Sequence, residues 1–144
     1  MPLTQLIYCS RPQIPEADWQ SGVVAIFESA RRRNTTSDVT GCLCFGEEWF
    51  LQVLEGSTAK VEDTYERIKR DRRHTEIKTL ISRSISARSF PEWSMASVDI
   101  DTLPSGVFAG QKLAEGFSPE SAPPSILLTA MMEIADQRRM NRPG

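Results

Sequence analysis

Tyr8 and Gln52 are the side chains of this sequence best placed to do chemistry. Gln52 stands at the centre of Trp49-Phe50-Leu51-Gln52-Val53-Leu54-Glu55-Gly56, a run that reads as a buried strand. A buried amide without a hydrogen bond costs about 1–3 kcal/mol, so Gln52 needs a partner. Tyr8 lies in a similarly apolar run, and Asn34 stands where a first helix gives way to its loop. A phenol and two amides offer donors and acceptors, but no nucleophile paired with a base. Such a set suits holding a flat heterocycle by its edge and does not suit hydrolysis. Taken singly, each residue also has a plain reading. Tyr8 is then a core tyrosine with a satisfied hydroxyl, Gln52 bonds a neighbouring backbone group, and Asn34 caps a helix.

The elements that must position these residues follow from periodicity and punctuation. Leu3 to Ser10 is apolar and reads as a first strand ended by Arg11-Pro12. Pro15-Glu16-Ala17-Asp18 has the chemistry of a helix start. Trp19, Val23, Ile26, Phe27 and Ala30 then mark one helical face, closed by Arg31-Arg32-Arg33-Asn34. Val39 to Phe45 and Trp49 to Glu55 are strands two and three, joined as a hairpin. Ser57 is placed to cap a second helix with the stripe Val61, Tyr65 and Ile68, ending in Lys69-Arg70-Asp71-Arg72-Arg73-His74. Ile77 to Ile85 is a fourth strand, and Ser94 to Ile100 a short fifth after the turn Phe90-Pro91-Glu92-Trp93.

The order is β-α-β-β-α-β with an additional strand. This predicts an α+β, ferredoxin-like sandwich with two helices on one sheet face. Strands one and three are then central and adjacent, so Tyr8 and Gln52 can point to the same face, toward the helices. Residues 1–100 form this domain, and 101–144 a helical extension of different composition, with a last helix from Pro124 or Ser125 to about Arg139. Its broad apolar face calls for a docking surface: the outer face of the sheet or a second copy of the chain.

Bulk properties narrow the classes. At 144 residues the chain suffices for one domain with a real core, and 40% hydrophobic with 25% charged residues is a soluble globular composition. No run approaches the roughly 18–20 apolar residues of a membrane span, and the N-terminus lacks the regions of a signal peptide. Three cysteines, Cys9, Cys42 and Cys44, read as reduced, buried small hydrophobes of a cytoplasmic protein. With one histidine, His74, a metal site is not expected. A net charge of −2 disfavours general nucleic-acid binding. The basic runs 31–33 and 69–74 both fall at helix C-termini, where they interact favourably with the helix dipoles.

The sequence resembles a known family. Tyr8-Cys9-Ser10, Ala30-Arg31-Arg32-Arg33-Asn34, Val39-Thr40-Gly41-Cys42-Leu43, Phe50 through Gly56, Asp71-Arg72-Arg73-His74 and Arg88-Ser89-Phe90-Pro91-Glu92-Trp93-Ser94-Met95 follow one another in that order. Together they look like the BLUF domain, the blue-light sensor that uses FAD, over roughly residues 1–100. Departures are Val39, where Ile is usual, and Cys44, where an aromatic or aliphatic residue is common.

The resemblance implies a flavin between the two helices, with Val24, Ile26, Phe27 and Ile68 as apolar walls. It implies Asn34 on the pyrimidine edge of the ring, and Ser10, Arg31, Phe50, Asp71, Arg73 and His74 as further cofactor neighbours. Tyr8 would give an electron to the photoexcited flavin, its proton would move through Gln52, and Gln52 would be left rearranged. An amide suits this because its two ends have opposite hydrogen-bond character. Trp93 and Met95, two apart on one strand face, match positions that relay the signal; plain core packing is the other reading of this pair. The expected protein is a light-driven switch without turnover. It would be a homodimer or larger homo-oligomer and would pass its signal to an unidentified separate protein. The competing readings are a small ferredoxin-like enzyme and an interaction module without flavin. Against the first, no Gly-rich phosphate loop follows strand one and His74 has no evident nucleophile partner. Against the second stands the intact set Tyr8, Asn34 and Gln52.

Overall fold

The computed structural model describes residues 2–18, 21–22, 24–26, 28–29, 32, 38–45, 50–91, 93–99, 128–129 and 131–132, with backbone alone for Glu16, Phe45 and 93–99. Five strands, β1 (Leu3–Pro12), β2 (Thr40–Phe45), β3 (Phe50–Ser57), β4 (His74–Ile85) and β5 (Trp93–Asp99), form one sheet in the order β4-β1-β3-β2-β5. The first four pair antiparallel, and β5 adds to the β2 edge in parallel. A 3-10 turn, Glu16–Asp18, precedes the helical residues 21–22, 24–26, 28–29 and 32, referred to as α1. A second helix, α2, spans Thr58–Lys69. This is the ferredoxin-like arrangement read from the sequence, with its additional strand.

Strand alternation sorts the core onto two faces. Leu6 and Tyr8 of β1 and Leu54 of β3 join Val39 and the α2 residues Val61 and Tyr65 in one buried cluster, with Ile68 and Ile77 at its margin. Ile7 and Cys9 fall on the other face with Leu51 and Val53 of β3; Cys42 and Cys44 of β2 pair with Val53 and Leu51, and all six are buried. The three cysteines form no disulfide.

Three boundaries differ from the sequence reading. Strand β1 continues through Arg11 and Pro12, which pair with Thr75 and His74 after a register shift. Proline is tolerated there because the irregular end of the ladder needs no N–H from it. Strand β4 begins at His74 rather than Ile77. Glu76 has φ 52, the left-handed region, and the ladder to β1 shifts register here, so the strand's first residues lie beyond an irregularity. Ser57 does occupy the N-cap position of α2 with extended backbone, but its side chain makes no capping bond. Thr58 Oγ1 instead meets Thr4 Oγ1 at 2.7 Å, tying the helix start to β1.

The outer face carries a buried polar knot. Glu55 is fully buried; its carboxylate accepts from Gln5 Nε2 (2.7 Å), Ser89 N (3.1 Å) and Phe90 N (2.7 Å). Arg83 Nε in turn donates to Gln5 Oε1 at 2.9 Å. Arg88 donates to Thr40 Oγ1 and to the backbone oxygens of Glu55 and Asp38. The chain between β4 and β5 is thereby clamped onto β1 and β3. At the predicted last helix, the described residues Leu128, Thr129, Met131 and Met132 are helical and Met131 is fully buried; the rest of that helix lies outside the described residues.

Candidate functional site

The register pairs Tyr8 directly with Gln52 across β1 and β3. Both side chains are even-numbered positions of the helix-facing side, both are buried, and the Tyr8 hydroxyl donates to Gln52 Oε1. Each therefore supplies the partner that the other's burial demands. The pair lies in the wall of a cleft between the sheet and the helices. Ile26, Leu43, Phe50 and Ile68 give that cleft apolar walls, and Ser29, Thr64, Arg67, Asp71, Arg73 and His74 complete it. An apolar slot with a few convergent polar groups is the usual form of a small-molecule site.

Burial, one neighbouring ring and one carboxylate tune Tyr8. Its ring centroid lies 5.3 Å from that of Tyr65 and 6.3 Å from that of His74. Burial pushes the Tyr8 hydroxyl far above its ordinary value; Tyr65 and the Asp71 carboxylate push in the same direction. The phenol is therefore held neutral, with its proton directed at Gln52.

The charged end is built from the turn after α2. Asp71 accepts from the Arg73 backbone N–H and from its guanidinium, at 2.6 Å from Nη2. Burial raises the Asp71 carboxyl, but these bonds and the Arg73 and His74 charges outweigh it and hold it below its ordinary value. Both His74 ring nitrogens are engaged. Nε2 donates to the Ile68 carbonyl at 2.7 Å, so in the neutral ring Nδ1 accepts from the Ser10 hydroxyl, also at 2.7 Å.

The structure brings together most of the side chains predicted from sequence. Tyr8, Ile26, Phe50, Gln52, Ile68, Asp71, Arg73 and His74 all line the cleft. Ser10 reaches it through His74. Val24 is not a wall: it is 57% exposed. Two residues before Ile26, it is turned about 200° around the helix axis and faces away from the sheet. Phe27, Arg31 and Asn34 lie outside the described residues. Trp93 and Met95 stand on β5, next to β2, with side chains outside the described set. Sequence reasoning missed Ser29, Leu43, Thr64 and Arg67. Thr64 carried a signal, a hydroxyl in the apolar stripe of α2, and Leu43 is the cross-strand partner of Gln52.

The contents of the cleft fit a flavin. Its aliphatic walls suit the faces of a tricyclic ring. The Tyr8–Gln52 pair and a Thr64 hydroxyl that no group among the described residues satisfies suit its polar atoms. Among the described residues, no group of His, Cys, Asp and Glu could hold a metal ion, and no helix is long and apolar enough to cross a membrane.

Comparison with known proteins agrees with this geometry. The photoactivated adenylate cyclase subunit beta of Euglena gracilis is 34% identical over 102 residues, which cover 70% of this chain and 12% of that protein. The blue light- and temperature-regulated antirepressor BluF of Escherichia coli K12 is 37% identical over 98 residues, 68% of this chain and 24% of that one. The chain thus spans a quarter or less of the length of these two relatives. The solved structure of BlsA in its photo-activated state superposes with a TM-score of 0.76 at 30% identity, over 92% of this chain and 94% of that one. Residues 3–96 match the BLUF family, "Sensors of blue-light using FAD", and the chain belongs to that family of flavin-binding sensory domains.

Proposed function

We propose that Tyr8 and Gln52 are the photoactive pair of a blue-light switch, and that light is read out as a changed orientation of the Gln52 amide. The observation that carries this reading is the direct hydrogen bond from the buried Tyr8 hydroxyl to Gln52 Oε1, in the wall of the cleft. Bound FAD supplies the absorption of blue light and an excited state able to take up an electron. With that cofactor in place Tyr8 would supply the electron, and its hydroxyl proton would move along the existing bond to the Gln52 amide. Both return on recombination. Because Oε1 accepts and Nε2 donates, an amide that returns rotated or tautomerised presents the opposite polarity to the same neighbour.

Ile26, Phe27, Phe50 and Ile68 hold the ring in this reading, and Asn34 its pyrimidine edge. Arg31, Arg73, His74, Asp71 and Ser10 form the polar end that takes the rest of the cofactor. That assignment is supported by the position of Asp71, Arg73 and His74 at one end of the cleft, beyond the C-terminus of α2. The domain is residues 1–100. Its signal leaves through Trp93 and Met95 on β5, the strand added beside β2, and through the helical extension 101–144 to a separate effector protein. Buried Met131 supports the extension as a cover on the domain. A homodimer or larger homo-oligomer, cytoplasmic and with no direct contact to nucleic acid, completes the proposal. The two relatives whose names state an output differ in it, one a cyclase subunit and one an antirepressor. The part they share with this chain is therefore sensory rather than catalytic.

The test is an absorption spectrum of the purified full chain, taken in the dark, after a blue flash, and again after dark recovery. A flavin spectrum that shifts slightly to the red and returns supports the switch. A flavin spectrum without a reversible shift refutes it, and a protein that takes up no FAD refutes the cofactor assignment as well.

A further inference from the structure

Helix α2 turns one stripe toward the sheet, Val61, Tyr65 and Ile68, at the three- and four-residue spacing of a single helix face. Thr64 belongs to the same face and interrupts it with a hydroxyl. The residue is 6% exposed. Among the described residues, Thr64 Oγ1 is the buried side-chain polar atom with no hydrogen-bond partner. Helical threonines often return their hydroxyl to the carbonyl one turn earlier, and Thr64 does not. A buried hydroxyl left unpaired has lost its bonds to water without replacement, whereas valine would fill nearly the same volume at no such cost. The plain packing role therefore gives no reason for threonine here. The place where Thr64 sits does: it lines the cleft beside Tyr8, Gln52, Leu43 and Ile68.

We propose that Thr64 is a cofactor-binding residue whose hydroxyl hydrogen-bonds a polar atom of the isoalloxazine ring. This rests on the flavin reading of the cleft and adds a residue to it. Asp71, at the charged end, follows Thr64 by seven residues and lies beyond the C-cap of α2. The next residue, Tyr65, has its ring 5.3 Å from that of Tyr8. Thr64 and the Tyr8–Gln52 pair thus line one cleft, with Leu43 and Ile68 as apolar walls. The isoalloxazine ring carries carbonyl and ring-nitrogen acceptors on an otherwise apolar disc, which is the complement of one hydroxyl set among aliphatic walls.

The test uses the full chain and its Thr64→Val and Thr64→Ser variants, stripped of flavin. Each is titrated with FAD and with riboflavin, which shares the ring but lacks the pyrophosphate and adenosine, and binding is followed by flavin fluorescence. Unfolding of each apoprotein in urea is measured alongside. The expected result has opposite signs in the two assays. Thr64→Val apoprotein unfolds at the same urea concentration as wild type or higher, because the unpaired hydroxyl is gone. The same variant binds both flavins about 3- to 10-fold more weakly, the worth of one ordinary hydrogen bond. Thr64→Ser binds within about two-fold of wild type by the same measure. Unchanged affinity of Thr64→Val for both flavins overturns the proposal. So does a loss confined to FAD, which puts the contact off the ring, or a less stable Thr64→Val apoprotein, which means that the protein itself satisfies the hydroxyl. Failure of wild type to bind either flavin overturns the proposal together with the flavin reading. Selective loss in Thr64→Val with intact wild-type binding cannot arise that way.

Discussion

Replacing Glu55 tests whether the buried knot on the outer face holds the β4–β5 connection, independently of the cleft. The carboxylate faces three donors: Gln5 Nε2 and Ser89 N on Oε2, and Phe90 N on Oε1. Glu55→Ala leaves all three unpaired in a site with no solvent exposure, a loss of about 3–5 kcal/mol for removing one side of a buried charged network. For a chain of this size 1 kcal/mol corresponds to roughly 3 °C, so Tm falls by about 9–15 °C. Glu55→Gln is the sharper variant, because it keeps the shape and exchanges one acceptor oxygen for a donor. Its best orientation turns the new NH2 toward Phe90 N–H and keeps the other two bonds. The cost is then one charge-assisted bond, about 1.5–3 kcal/mol, and a Tm lower by about 5–9 °C. Thermal unfolding by circular dichroism reads both values, and hydrogen exchange at the Phe90 amide reads the local release. FAD affinity stays within about two-fold of wild type (roughly 0.4 kcal/mol), because odd-numbered β3 residues face away from the cleft. A Glu55→Gln variant that unfolds within about 1 kcal/mol of wild type, with Phe90 exchange unchanged, would refute the reasoning.

Tyr8→Phe retains FAD, loses the light-induced shift, and is less stable by about 1–2 kcal/mol because Gln52 Oε1 loses its donor; absorption and urea unfolding measure the two effects. The Asp71 carboxyl is held below its ordinary value of 3.8, so the stability it contributes is present above that pH and is lost as pH falls through the lower folded value. Wild type should therefore exceed Asp71→Asn in stability at neutral pH, with the gap closing below about pH 4 in an acid-unfolding series; a gap that stays constant contradicts the Arg73 pairing. Trp93→Ala and Met95→Ala alter the lifetime of the lit state or its transmission to the effector. Flash recovery and effector binding that both match wild type would remove these residues from the relay.

Periodicity and punctuation carried the architecture. The apolar runs Leu3–Ser10 and Phe50–Gly56, taken with the element order that makes them neighbours, allowed Tyr8 and Gln52 to share one face, and the observed register pairs them directly. Where a local device replaced periodicity, the sequence was a poorer guide. The left-handed Glu76 hid the first residues of β4, and Pro12 continued a strand it was expected to end. The outer-face knot was invisible for a different reason. Glu55 reads as a strand-end charge, and its three donors come from positions 34–50 residues away in sequence. In the cleft, Asp71, Arg73 and His74 were legible as a motif, whereas Arg67, paired along α2 with Asp63, stands outside any motif. Val24 was named as a wall from the family resemblance, and the helical phase turns it away from the cleft that Ile26 lines.

The central claim, that Gln52 is the element light rearranges, is tested most directly by Gln52→Leu, loaded with FAD and compared with wild type before and after a blue flash. Leucine keeps the bulk of the side chain and removes the amide, so the account predicts a bound flavin, a normal dark spectrum apart from a small offset, and no reversible red shift. A Gln52→Leu protein that still shifts and recovers like wild type would contradict it, and the switch would have to lie elsewhere in the cleft.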